Sequence, residues 1–451
     1  MEKKRYERPF IKRLDINMPG KSGQQRMQAL TQIEGIPVKS LIQEYNSPLF
    51  VISERQIRDH YRKAKLAFDT RYPQVQFAWS YKTNYLDAVC KVYHQEGSWA
   101  EVVSGFEYQK AIRNGVPGDK IIFNGPDKND QDLRLAIEND SLIHIDHLDE
   151  LYSLTRIATE SNQKPKVAIR VNMDTGVYPM WDRFGFNYEN GQAWDAINKI
   201  MHGQKLELVG LHCHIGTFML AANAYKVAAT KMADLAISLQ KKFDHHIKYI
   251  DMGGGFASPN TLKGSFLPGY DVNPTFDDYA EAISGALLNS NFKTGHLPLL
   301  ILETGRALID ESAYLIGSVI ANKRLASGKR TTIGDVGVNI LFTSFWYNHK
   351  VLPAQEFSQY TEDTVMYGPL CMNIDVIREN INLPLLNKGD HFVVHNVGAY
   401  NMTQWMQFIT LRPKVVMIDN QGQTHIIRNN ENMDSLTSHE QTPEHLTKFE
   451  L

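Results

Sequence analysis

Eight short β-rich runs, each followed by a segment of helical periodicity, recur within about 250 residues, and this alternation limits the fold more than any other feature of the chain. The runs are FAWSYK (77–82), WAEVVS (99–104), IIFNG (121–125), SLIHID (141–146), KVAIRVN (166–172), LVGLHCHIG (208–216), YIDMGGG (249–255) and LLILETG (299–305). Segments such as YLDAVCKVYHQ, EYQKAIRNG and AYKVAATKMADLAISLQKKF separate them, and serines at 40, 53 and 104 sit where helix caps would fall. A doubly wound sheet also alternates, but eight strand and helix units close a (β/α)8 barrel. The expected fold is therefore α/β, with a TIM barrel over residues 53–310. From 311 to 430 short β runs dominate, which predicts a separate C-terminal β domain. The strand at 49–52 cannot bury both faces alone, so residues 1–52 read as an extension plus a strand of that domain. Residues 431–451 read as a polar tail without fixed structure.

Charge and cysteine usage remove several function classes. With 48 Lys+Arg against 50 Asp+Glu the formal charge is -2, so nothing draws the chain toward nucleic acid or an anionic membrane. The one long apolar stretch, around 298–321, carries Glu303, Arg306, Asp310 and Glu311, and the N-terminus MEKKRYERPF lacks the apolar core of a secretory signal. A cytoplasmic protein is expected. Three widely spaced cysteines without a CxxC motif suggest neither a disulfide framework nor a cysteine zinc site. Cys90 and Cys213 read as core residues.

Barrel enzymes act at the C-terminal ends of their strands. The polar residues there are Lys82, Asn124, Asn172, His212, His214, Gly253 to Gly255, and Glu303 to Arg306. Lys82 reads as a surface lysine or, lowered in pKa by a dry barrel mouth, as an amine able to form a Schiff base. Three glycines after YIDM can present backbone N–H groups to an anion and feed a helix, or simply make a tight turn. His212 and His214, two apart, could share a metal, but no third ligand is apparent, and buried core histidines are an equal alternative. Glu303 beside Arg306 is a strand-end ion pair or a carboxylate facing a pyridine nitrogen. Together these suit an anionic, phosphorylated cofactor bearing a carbonyl group.

In order and spacing, SYKTN, VVSGFE, FNGPDK, RFGF, GLHCHIGT, DMGGGF, ETGR, GPLC and GAY resemble the diaminopimelate decarboxylase family of fold-type III pyridoxal-phosphate enzymes, over about residues 45–415. The resemblance implies an alanine-racemase-like barrel with a β domain, pyridoxal 5'-phosphate as cofactor, and a head-to-tail homodimer with shared active sites. It implies that Lys82 holds the cofactor covalently, His214 stacks on its ring and Glu303 pairs with the ring nitrogen. Backbone groups of Gly254, Gly255, Gly305 and Arg306, assisted by Thr217 and Tyr400, would hold the phosphate, and no metal is called for. Cys371 would reach the partner subunit's site and help protonate the substrate carbon. The expected activity is decarboxylation of an amino acid. An amino-acid racemase, or a non-catalytic regulatory relative, is the alternative; Glu303 speaks against the first, Lys82 and Cys371 against the second.

Two departures bear on substrate. The family typically reads CESxD where this chain has Cys371 to Asp375 with Met372 in place of the glutamate, and it usually carries an arginine-proline pair at Thr343 and Ser344. Tyr347 is kept. Of the positions that would meet substrate, namely Arg306, Thr343, Tyr347, Met372 and Asp375, two have lost charge. With Phe345 and Trp346 nearby, a less charged or conjugated side chain is favoured over meso-diaminopimelate, whose own decarboxylation is the alternative.

Overall fold

The computed structural model describes residues 27–447 except 266, 294, 358 and 359. The expected extension before residue 27 and the end of the tail after 447 lie outside the described residues. Eight parallel strands, Val75–Ser80, Trp99–Val102, Ile121–Phe123, Leu142–Ile145, Lys166–Asn172, Glu207–His212, Tyr249–Asp251 and Leu299–Leu302, pair each with the next. The last pairs back onto the first, Leu302 opposite Phe77, so the barrel is closed. The expected (β/α)8 fold is present.

The outer helices follow from sequence in the usual way. Glu54–Asp69 buries Ile57, Tyr61, Ala64, Ala67 and Phe68, an i, i+3, i+4 stripe against the barrel wall, while Ser53 caps its start by accepting from Gln56 N at 3.1 Å. Ser104 caps Gly105–Arg113 similarly, but the Glu107 carboxylate reaches Val103 N at 2.9 Å instead of closing the box on Ser104. The first helix, Val38–Tyr45, begins two residues before the serine expected to open it, with Pro37 in the cap position, where a missing N–H costs little.

Strand Leu49–Ser53 enters the β domain as expected, lying between Ala313–Arg324 (antiparallel) and Lys414–Ile418 (parallel). All five of its residues are buried. The β domain is tied to the barrel mouth by Tyr400 N donating to Thr83 O (2.9 Å) and Asn84 Nδ2 donating to Gly398 O (3.0 Å). These bonds set the GAY turn beside Lys82. The polar tail departs from expectation in having a short helix, Met433–Thr437, opened by a reciprocal cap between Asn432 and Ser435. Among the described residues no helix is long and apolar enough to cross a membrane.

Candidate active site

The barrel interior has an apolar floor made by Ala78, Ile122, Leu142, Ala168, Val209, Tyr249 and Ile301. Strand side chains alternate, so two residues further along each strand the next inward layer begins. That layer is polar: Ser80, Glu101, Asn124, His144, Arg170, His212, Asp251 and Glu303. The sixth strand reaches His212 because its register shifts between Leu208 and Gly210. Above it opens a cavity of about 280 Å3 bounded by Lys82, His214, Thr217, Trp181, Phe184 and Tyr400.

Lys82 Nζ donates to both oxygens of Glu101, at 2.8 and 2.6 Å. Burial works against its charge, but Glu101 and then Glu303 outweigh that and hold the ammonium above the ordinary lysine range. The expected lowering is therefore corrected: the mouth is dry, but it is lined by carboxylates. Glu101, which sequence reasoning passed over, is also the nearest base for the proton that Lys82 must lose before it can attack a carbonyl. Arg170 faces the same cavity, pairs with Asp146 at 3.4 Å and lies over the Phe184 ring. Asn124 donates to Glu303 Oε1 at 2.6 Å. Asn172, by contrast, points away and holds the following loop through Phe184 O and Gly185 O.

His212 and His214 take different environments. His214 lies in the cavity wall, where burial, with Arg170 and Lys82 close by, pushes it down to about 3. It is neutral, and its Nδ1 accepts from Gly254 N at 3.1 Å, which puts the ring proton on Nε2. His212 lies deeper, 4.8 Å from the His144 ring and 3.5 Å from Glu303 Oε2. His144, His212, Asp251 and Glu303 bring one side-chain nitrogen or oxygen each within 4.8 Å of one another, so His212 belongs to a buried polar cluster while His214 faces the cavity.

A side recess of about 40 Å3 is lined by Lys82, His214, Thr217, Gly254, Gly255, Gly305, Arg306 and Tyr400. A Cβ at Gly254 would meet Glu303 O at 2.6 Å, at Gly255 Gly216 O at 2.2 Å, and at Gly305 Thr83 Oγ1 at 2.1 Å. The backbone thus closes on a space with room for a small anion and none for side chains. Gly305 opens the short helix Arg306–Ile309, whereas the triple-glycine turn does not feed a helix directly as expected. A loop follows it, and Phe276–Leu288 is the next long helix. Arg306 is buried among rings, 4.6 Å from Tyr400, 5.5 Å from Tyr347 and 5.7 Å from Phe218 and Trp346. It donates to the Tyr347 hydroxyl and reaches Thr217 Oγ1 at 3.5 Å. With glycine N–H groups, two hydroxyls and a guanidinium at one end and Glu303 at the other, these residues fit pyridoxal phosphate. Gly255 has φ +93°, so Gly255→Ala is expected to strain the turn by about 1–3 kcal/mol and weaken cofactor affinity at least tenfold. Fluorescence titration with the cofactor measures this.

The remaining expected contacts lie elsewhere. Thr343, in the turn Phe342–Phe345, is fully buried, its hydroxyl held between His349 Nε2 (2.8 Å) and Asn401 Oδ1 (3.0 Å). Asp375 accepts from Val338 N (2.8 Å) and Leu370 N (2.7 Å), pinning the loop that carries Cys371 and Met372. Neither the Asp375 carboxylate nor the Thr343 hydroxyl is free for substrate within the chain. Cys371 is exposed and lies outside the cavity lining. Cys90 and Cys213 are buried.

Proteins of known family are similar to this chain. The profile of the pyridoxal-dependent decarboxylase pyridoxal binding domain matches residues 54–310. The diaminopimelate decarboxylase of Aquifex aeolicus is 30% identical over 419 residues, covering 89% of this chain and 93% of that one. That of Methanocaldococcus jannaschii is 28% identical, covering 92% and 95%; a crystal structure of the M. jannaschii enzyme matches with TM-score 0.85 at 27% identity over 93% of this chain and 99% of that chain. A lysine/ornithine decarboxylase from Vibrio vulnificus, solved with putrescine, shares the fold at 22% identity and TM-score 0.72, covering 86% and 98%.

Proposed function

The chain belongs to the pyridoxal-dependent decarboxylases, and on that premise we propose that its substrate is an amino acid, or an intermediate built from one, without the distal charge pair of meso-diaminopimelate. The enzyme is an amino-acid carboxy-lyase and its cofactor is pyridoxal 5'-phosphate, which when bound supplies a sink for the electrons that CO2 leaves behind. Lys82 would anchor it, Glu101 would take the lysine proton, Glu303 would pair with the ring nitrogen, and neutral His214 would offer a flat face to the ring. The glycine turns, Thr217, Arg306 and Tyr400 would take the phosphate. Trp181 and Phe184 narrow the mouth and limit water.

One observation carries the substrate reading. The carboxylates lining the cavity, Glu101 and Glu303, are already engaged, by Lys82 and by Asn124. Among the described residues the protomer has no spare carboxylate there for a distal ammonium. In the loop carrying Cys371, Met372 stands where the family's glutamate would, and Asp375 is tied to backbone. An unmet ammonium in such a site costs several kcal/mol of transition-state binding. Proton NMR in D2O with amino acids, diaminopimelate and conjugated derivatives tests this. The expected product is an amine with one deuterium at the former α-carbon, from a substrate with a neutral or conjugated end. Diaminopimelate turning over within tenfold of the best substrate, or robust rescue of a lysine auxotroph, would sink the reading.

The same reading assembles each site from two subunits of a homodimer. Exposed Cys371 then serves the neighbouring cavity. Subunits carrying Lys82→Ala mixed with subunits carrying Cys371→Ala are expected to regain activity that neither has alone; a mixture that exchanges subunits yet stays inactive rules shared sites out.

A further inference from the structure

Beneath the cavity, two carboxylates face each other with no cation between them among the described residues. Asp251 is fully buried and Glu303 almost so, and their oxygens fall within the 4.8 Å cluster completed by His144 and His212. The nearby cations are each committed to another acid: Lys82 to Glu101, Arg170 to Asp146, and Lys128 to Glu150 at 3.0 Å. Two bare carboxylates cannot both stay charged so close in a dry interior. One of them keeps a proton.

The donors decide which. Glu303 Oε1 accepts from Asn124 at 2.6 Å, and His212 Nε2 lies 3.5 Å from its other oxygen. Asp251 Oδ1 accepts only from Gly253 N, at 2.8 Å, and its Oδ2 meets no donor. An oxygen with no donor, beside an anion, is where an acid O–H belongs. We infer that Asp251 is a neutral carboxylic acid that donates a hydrogen bond to Glu303, a positioning residue that keeps Glu303 as the sole anion of the pair and ties it to the glycine turn. The inference rests on the proposed role of Glu303 at the ring nitrogen.

The surroundings agree. Burial, and then Glu303, push the Asp251 acid well above the ordinary range. The other titratable groups around it are Glu101, which is salt-bridged, Tyr249, whose hydroxyl is kept neutral by burial and hydrogen-bonds His144 at 2.9 Å, His144 itself, His212 and Cys213. Burial pushes both histidines well down and the Cys213 thiol up, so all three are neutral. None supplies the positive charge that would let Asp251 ionise. A divalent cation bound among these side chains would instead deprotonate Asp251 and engage Glu303 itself.

The arrangement makes Asp251→Asn a close mimic, because an amide N–H can replace the acid O–H. In the full chain at pH 8, with and without cofactor, the infrared difference between wild type and Asp251→Asn is expected to contain a protonated carboxylic C=O band from the wild type. Absence of that band overturns the inference, as does stoichiometric zinc by elemental analysis. In the loaded enzyme, Asp251→Ala is expected to lose about 100-fold in kcat and to alter the visible absorption of the cofactor. Asp251→Asn should recover all but about fivefold and restore the spectrum. Equal damage by the two variants also overturns the inference. If Asp251→Ala does not fold, the infrared comparison decides. That band does not depend on which amino acid is decarboxylated, so an error in substrate class leaves it in place.

Discussion

Lys82→Ala is expected to abolish the visible absorption of the cofactor-loaded enzyme and to lower decarboxylation by on the order of 10^5-fold, as loss of a covalent catalytic group does. Among the described residues no other amine lines the cavity to take over. Arg170 is committed to Asp146 and Lys128 to Glu150, and a guanidinium is a poor nucleophile. The substitution also leaves buried Glu101 without its cation, with Ser80 Oγ (2.5 Å) and Asn124 Nδ2 (3.1 Å) as its remaining, neutral donors. Removing one member of a fully buried pair costs about 3–5 kcal/mol; Lys82 opens onto the cavity, so about 1–3 is expected, seen as a lower melting temperature of the cofactor-free chain. Adding Glu101→Gln should restore that stability without restoring activity. Separation of the two effects is the check: a Lys82→Ala enzyme that still absorbs and still releases CO2 means the cofactor is anchored elsewhere.

Much of this was open to a reader of the sequence, for a physical reason. Strand runs such as KVAIRVN and LLILETG are apolar and short, and helices between them carry stripes, so the count of eight units could be made before any coordinates. Lys82, His214, the glycines and Glu303 could be picked out because they end runs. Glu101, His144, Arg170 and Asp251 sit inside the same runs and were passed over. Their signal was parity: each lies two residues beyond an inward floor residue, as Glu101 follows Trp99 and Asp251 follows Tyr249. Partnering was not legible in any run. That Lys82 meets Glu101 depends on adjacent strands pairing Ser80 with Glu101, and that Thr343 turns inward depends on His349 and Asn401 closing on it from separate parts of the β domain.

Glu303→Gln is the second large effect expected, a fall of about 10^2–10^3-fold in kcat with little change in cofactor affinity. Glutamine keeps the shape and can still accept from Asn124, but it carries no charge to hold a ring nitrogen protonated, so the electron sink weakens while the glycine turns, Arg306 and Lys82 still bind. Stability should move the other way. Glu303 is a buried carboxylate whose direct partners are an amide, two neutral histidines and another acid, while the Lys82 ammonium that it helps to hold charged is bonded to Glu101 instead, and an anion without a bonded cation in a dry site is a cost to the fold. Replacing it with a neutral isostere is expected to leave the cofactor-free chain at least as stable as wild type, the pattern of a group kept for function against stability. Steady-state kinetics and thermal unfolding read the two halves independently. Loss of both activity and stability would mean that Glu303 is a structural anchor of the barrel, and retention of both would remove it from the reaction.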